Sequence, residues 1–105
     1  MAIGTKQGTG VNMREREVER RLVTAVKKLG GLAPKFTSPG LDGVPDRLVL
    51  LPDGRLAFVE VKAPGQKMRP LQLLRKRQLE ELGFRVYCID RPEQIGGVLD
   101  EIQAP

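Results

Sequence analysis

The sequence predicts one mixed α/β domain, a short sheet flanked by helices. Three observations predict it. Apolar residues recur at helical spacing over 13–29 and again over 69–82. Two short apolar runs, 47–51 and 56–62, flank a Pro52-Asp53-Gly54-Arg55 turn and read as a β-hairpin. The chain has 105 residues, enough for one compact domain with one modest core.

Each element follows from its local pattern. Residues 1–12 begin with a small, polar, glycine-containing stretch (MAIGTKQGTG) and are expected to form a flexible arm, with a single domain over 13–105. In the first helix Val18, Leu22, Ala25, Val26 and Leu29 form the apolar stripe, and Gly30-Gly31 ends it. Residues 32–37 (LAPKFT) suggest a short strand. The stretch 38–45 (SPGLDGVP) is a turn-rich loop. The hairpin strands follow, and Ala63-Pro64-Gly65 breaks the second. Pro70 suits the first turn of the next helix, whose Leu71, Leu74, Leu79 and Leu82 share a side. Gly83 ends it. Residues 84–89 (FRVYCI) read as a core strand, and 92–103 as a short helix weakened by Gly96-Gly97.

Composition narrows the function. The net charge is +5, and residues 1–89 carry 17 Lys/Arg against 9 Asp/Glu, a local +8. A basic body suits a polyanion such as nucleic acid. Aromatic content is only 4%, which argues against a base-stacking platform. The single cysteine, Cys88, excludes an intrachain disulfide and fits a reducing, cytoplasmic setting; its mid-strand position suggests a small core residue. No apolar stretch is long enough for a membrane span. Histidine is absent, so triads and His-metal chemistry are excluded. Any metal would be held by oxygen ligands, which points to Mg²⁺, with Mn²⁺ able to substitute.

The polar residues that stand out are Asp46, Glu60 and Lys62. Side chains alternate along a strand, so Phe58, Glu60 and Lys62 share a face. Asp46 opens the preceding strand after Val44-Pro45. Pairing through the 52–55 turn brings Asp46 beside residues 60–62. Asp46, Glu60 and the Val61 backbone carbonyl can then ligate Mg²⁺, and Lys62 can position a water and stabilise developing negative charge. On the first helix, 100° steps place Glu15 inside the apolar stripe and Glu19 on its flank. Either could complete the metal shell, and the choice stays open.

Pro45-Asp46 followed by Glu60-Val61-Lys62 resembles the PD-(D/E)xK nuclease signature. The run GVPDRLVLLPDGRLAFVEVKAPGQKMRPLQ, then LEELGFRVYCID, resembles the VRR-NUC family, common as small stand-alone proteins of phages and prophages. The resemblance covers roughly residues 13–95. It implies a restriction-endonuclease-like αβββαβ core and Mg²⁺- or Mn²⁺-dependent phosphodiester cleavage in a bacterial or phage-infected host cytoplasm. For stand-alone members it implies a homodimer acting on branched DNA in the manner of Holliday-junction resolvases. It also implies a role for Gln72 beside the lysine, and a first-helix glutamate matching Glu15 or Glu19.

Plainer readings stand beside these. Glu60 and Lys62 could be a surface cross-strand pair, but their strand is too apolar for a solvated face. Asp46 alone would pass for a turn residue; its company makes it a ligand. Lys67, Arg69, Arg75, Lys76 and Arg77 are expected to contact DNA phosphates, against the alternative of a solvated helix face. Two further functions are compatible: a nuclease of flaps or simple ends, and a non-catalytic DNA-binding module on the same fold.

Overall fold

The computed structural model describes residues 3–105, with side chains described from Arg14 onward. Of the arm expected over residues 1–12, residues 1 and 2 lie outside the described residues, and the backbone of residues 3–12 belongs to the first helix. The element order is α1 (Ile3–Lys28), β1 (Arg47–Leu51), β2 (Arg55–Val61), α2 (Pro70–Glu81), β3 (Val86–Ile89) and α3 (Ile95–Gln103). The mixed α/β class and the hairpin agree with the sequence reading.

β1 and β2 pair antiparallel, with Arg47 opposite Val59 and Leu51 opposite Arg55. β2 and β3 pair parallel, with Glu60 opposite Cys88. The hairpin turn is a three-residue 3₁₀ turn, Pro52–Gly54. Asp53 and Gly54 both take positive φ there, which an aspartate tolerates and a glycine favours.

One sheet face is fully covered. Val49, Leu51, Ala57, Val59, Val61 and Ile89 point into the core, where they meet Val18, Leu22 and Val26 of α1. Ile95, Leu99 and Ile102 of α3 close the same core. The two glycines of α3 do not prevent the helix, because these three buried side chains hold it. Burying an aliphatic side chain of this size contributes roughly 1.5–3 kcal/mol. α2 lies over the opposite face, the one that carries Phe58 and Glu60.

The strand expected over 32–37 is reduced to isolated bridges, Leu32 with Leu50 and Lys35 with Arg47. The reason is Pro34. Leu48 N–H donates to the Pro34 carbonyl at 3.1 Å, but proline has no N–H to return the bond. The segment therefore follows the edge of β1 in register without completing a ladder. Its last bond, from Phe36 N–H to the Asp46 carbonyl at 2.7 Å, fixes the backbone of Asp46.

The helical wheel misplaces Glu15. The buried stripe of α1 runs through Val18, Leu22 and Val26, and Glu15, one turn earlier, is exposed. Cys88 is half-buried on the Glu60 face and is not a core residue. Leu71, Leu74 and Leu82 of the second helix are exposed rather than packed, and the buried residue of α2 is Gln72.

Candidate active site

The site lies where β1 begins and β2 ends, on the sheet face beneath α2. The hairpin register sets it: Arg47 opposite Val59 puts Asp46 opposite Glu60. Asp46 Oδ2 accepts a hydrogen bond from the Val61 N–H at 3.2 Å, so its carboxylate is anchored across the strand end.

Glu60 is 2% exposed, an unusual burial for a carboxylate. Gln72 Nε2 donates to its Oε2 at 2.8 Å, and Lys62 Nζ stands 3.5 Å from the same oxygen. Its Oε1 is buried with no hydrogen-bond partner among the described residues. Burial, and then the negative charge of Asp46, push the Glu60 carboxyl up to about 7 from an ordinary 4.5; the Lys62 ammonium opposes them. Cys88, opposite Glu60 on β3, has its thiol pushed up by burial and then by Glu60.

Gln72 is itself held. It is 7% exposed, and its Oε1 accepts from the Arg69 N–H at 2.9 Å, in the first turn of α2. It fixes one oxygen of Glu60 and leaves the other open. Lys62 follows the last residue of β2, and its N–H donates to the Ile89 carbonyl at 2.9 Å. Its side chain is 14% exposed. On the far side, Gly65 N–H donates to Asp90 Oδ2 at 3.0 Å, tying down the loop after Lys62.

The first-helix glutamates do not join this group. Glu15 is exposed, and Glu19 pairs with Arg47, Oε2 to Nη2 at 3.1 Å. Arg47 also donates to the Ala33 carbonyl at 2.7 Å, so it clamps α1, β1 and the 32–37 segment. Arg47 had no role in the sequence reading. Its position directly after Asp46, charged at the head of an apolar strand, was the available signal. Among the described residues no group of three or more Asp, Glu, His or Cys gathers as a metal cage.

The predicted phosphate contacts divide. Arg75 Nε donates to the Asp42 carbonyl at 2.6 Å, and Lys76 pairs with Glu80 at 2.7 Å. Both are half-buried and engaged within the protein. Lys67, Arg69 and Arg77 are exposed.

The donor set suits Mg²⁺. That ion is commonly held by one or two carboxylates and completes its shell with substrate oxygens and water. Asp46 and Glu60 are such a pair, and Glu60 Oε1, without a partner among the described residues, leaves an oxygen open that a cation could meet.

Comparison with known proteins agrees with this architecture. No family model matches the chain. A solved structure described as a VRR_NUC domain superposes with a TM-score of 0.77 at 31% identity, over 83% of this chain and 95% of that one. The protein named "Putative nuclease p44", from Acyrthosiphon pisum secondary endosymbiont phage 1, is 53% identical over 78 residues. The match spans 74% of this chain and 84% of that protein. The chain belongs to the VRR-NUC family. The nuclease fold that the family resemblance implied is thus present. The matching relative is itself a phage protein. Among the described residues of this VRR-NUC chain, no helix is long and apolar enough to cross a membrane.

The raised Glu60 carboxyl makes stability depend on pH. Between 4.5 and about 7 the folded chain holds a proton that the unfolded chain has released. The stability from this group is therefore full below 4.5 and is lost as pH rises through 7. The slope inside the window is at most about 1.4 kcal/mol per pH unit. Thermal melting in EDTA should show a midpoint that falls over this range. A midpoint that instead rises between pH 5 and 8 would contradict the assignment.

Proposed function

We propose that this chain is a Mg²⁺-dependent DNA endonuclease of the PD-(D/E)xK type, acting as a homodimer on branched DNA in the manner of a junction resolvase. One observation carries the hydrolytic reading: a buried carboxylate, Glu60, with one oxygen held by Gln72 and the other unpartnered, beside Asp46 and Lys62. A surface ion pair would not be buried, and a structural one would be satisfied at both oxygens.

Asp46, Glu60 and the Val61 carbonyl would hold the ion. When bound, Mg²⁺ neutralises phosphate charge and makes a coordinated water more acidic. Lys62 orients the attacking water and meets the negative charge that develops on the phosphate. Gln72 keeps Glu60 in the orientation that leaves Oε1 open. Glu19, held by Arg47, supports the site from α1 through the residue next to Asp46; Glu15 has no such connection among the described residues.

The exposed Lys67, Arg69 and Arg77 supply the phosphate contacts on the approach to the site. The homologous phage protein's name and the solved VRR_NUC domain support the nuclease reading. The branched substrate and the dimer rest on the family resemblance and on symmetry: one domain offers one site, and paired cuts need two.

A four-way junction with each strand labelled in turn tests all three points. Cutting is expected with Mg²⁺ or Mn²⁺ and none with EDTA. Paired cuts on opposed strands support the dimer; single, uncoordinated nicks count against it. Trimming of linear or flap DNA with junctions left intact would replace the resolvase reading by the flap or end nuclease. Salt-sensitive binding without cutting under any divalent ion would leave only a DNA-binding module.

A further inference from the structure

α2 carries an apolar stripe that its own fold leaves uncovered. Steps of about 100° per residue bring Leu71, Leu74, Gln78 and Leu82 onto one arc of the helix. Leu71 is 42% exposed, Leu74 40% and Leu82 73%. Gln72, the buried residue of α2, points about a third of a turn away, toward Glu60. Spacing of this kind marks packing residues, yet the described residues leave all three leucines open to solvent.

The surface extends past the helix. Gly43 lies so close to Leu71 that a Cβ there would stand 2.8 Å from Leu71 Cγ. The bond from Arg75 to the Asp42 carbonyl ties the same loop to α2 a second time. Leu41, two residues before Gly43, is itself 44% exposed. A leucine stripe beside a pinned apolar loop is a patch, and a patch calls for a partner where scattered single residues do not. The polar groups at its edge are engaged. Arg75 also donates to Gln78 Oε1 at 3.0 Å, and Lys76 pairs with Glu80. No free cation stands within the stripe among the described residues, so a phosphate backbone does not suit it.

The charges of α2 select the partner, because they run against the helix dipole. The first turn holds no acidic residue and the last turn no basic one, while Glu80 and Glu81 stand at the negative C-terminal end. Lys76 neutralises Glu80; Glu81 is exposed with no ion pair among the described residues. An identical helix packed antiparallel relieves both the open stripe and the unfavourable charge. About a two-fold axis near the middle of α2, Leu71 of one copy stands against Leu82 of the other, with Leu74 close to the axis. Each Glu81 then reaches the first turn of the other helix, the positive end of its dipole. Two-fold symmetry makes every such contact twice. Arg77 lies outside the stripe and stays free for phosphate.

Resting on the dimer of the nuclease reading above, we infer that two copies of the chain join through this stripe, α2 against α2 and antiparallel. The same helix carries Gln72, which holds Glu60. The interface and the hydrolytic centre therefore share one rigid element, and pairing fixes the two centres relative to each other. From the helical rise and the usual spacing of packed helices, the two Gln72 positions stand roughly 15–20 Å apart.

Light scattering on the full chain, without DNA or divalent ion, tests this over a concentration series. The parent is expected at twice its 11.6 kDa chain mass. Leu74→Glu sets a charge in the stripe and should give single chains. The position is already 40% exposed, so the fold should survive, and circular dichroism checks it. Leu82→Glu, at a residue 73% exposed, repeats the test. Leu73→Glu puts the same charge on the far side of the same helix, at a residue 48% exposed, and should leave the dimer intact. Glu81→Lys should raise the dissociation constant about tenfold, since two charge–dipole contacts turn from attraction to repulsion. Tighter association of that variant would overturn the antiparallel arrangement. A dimer that survives both stripe variants, or that Leu73→Glu disrupts as much as they do, would overturn this surface and leave the dimer of the nuclease reading standing. A monomeric parent would remove both and give the stripe to a different partner. No cleavage is read, so failure to cut in Mg²⁺ would bear on hydrolysis alone.

Discussion

Glu60→Gln should abolish cleavage and, at the same time, stabilise the metal-free protein above pH 7. Glutamine keeps the shape and still accepts the hydrogen bond from Gln72 Nε2. It removes the negative charge on which the proposed Mg²⁺ binding would depend. The expected loss of activity is on the order of 10³, comparable to removing a main electrostatic group from an active site. The gain in stability has a separate cause. Above about pH 7 the parent must ionise a buried carboxyl beside Asp46, and glutamine need not. Below pH 4.5 Glu60 is neutral in both the folded and the unfolded parent, and the difference should vanish. In a domain of this size each kcal/mol gained raises the melting midpoint by about 4–8 °C. Melting curves in EDTA at pH 5 and pH 8, with a cleavage assay, read both effects. A stability difference that is the same at the two pH values would show that the Glu60 charge is not the cause.

This trade of stability for chemistry was partly legible in the sequence. The hairpin was legible because Asp53-Gly54 fixes the turn, and the turn fixes the register. From register alone Asp46 falls beside Glu60. The burial of Glu60 followed from its apolar neighbours. What the sequence could not convey was the length over which α1 is covered. A helical wheel assigns Glu15 to a face, but coverage ends at Val18 because the core ends there. Residues 32–37 show a similar limit. Their register with β1 is that of a strand, and one missing proline N–H breaks the ladder. The basic residues of α2 were legible in type and not in use. Lys76 and Glu80 stand four apart, a spacing that pairs on a helix, so that partner was readable. Arg75 meets Gln78 three residues on, a spacing also readable on a helix, but its other partner is a carbonyl 33 residues away, which only the fold brings near. Gln72 came from family resemblance alone. Its physical role, holding one oxygen of Glu60 while leaving the other open, required the contact itself.

Lys62→Ala should lower turnover by about 10²–10³, the usual cost of losing a group that stabilises developing charge. Its effect on metal affinity is a balance of two opposed terms. The Lys62 ammonium repels a cation at the neighbouring carboxylates. It also draws down the Glu60 carboxyl, which would otherwise rise further through burial and Asp46. Without Lys62, Glu60 holds its proton to higher pH, and a cation must compete with that proton. Near pH 7 the proton prevails and Mg²⁺ binding should weaken; well above pH 7 Glu60 is ionised and the lost repulsion should restore it. The variant's rate-against-pH curve is therefore expected to shift toward alkaline pH, with reduced turnover even at its plateau and saturating Mg²⁺. Lys62→Arg keeps the charge near Glu60 and should leave the position of the curve almost unchanged. It spreads that charge over a planar fork, so its turnover should stay below the parent's. An alanine variant with parental turnover would remove Lys62 from the reaction. An alanine curve displaced toward acid would mean that Lys62 does not hold down the Glu60 carboxyl, and the 3.5 Å contact would then be incidental.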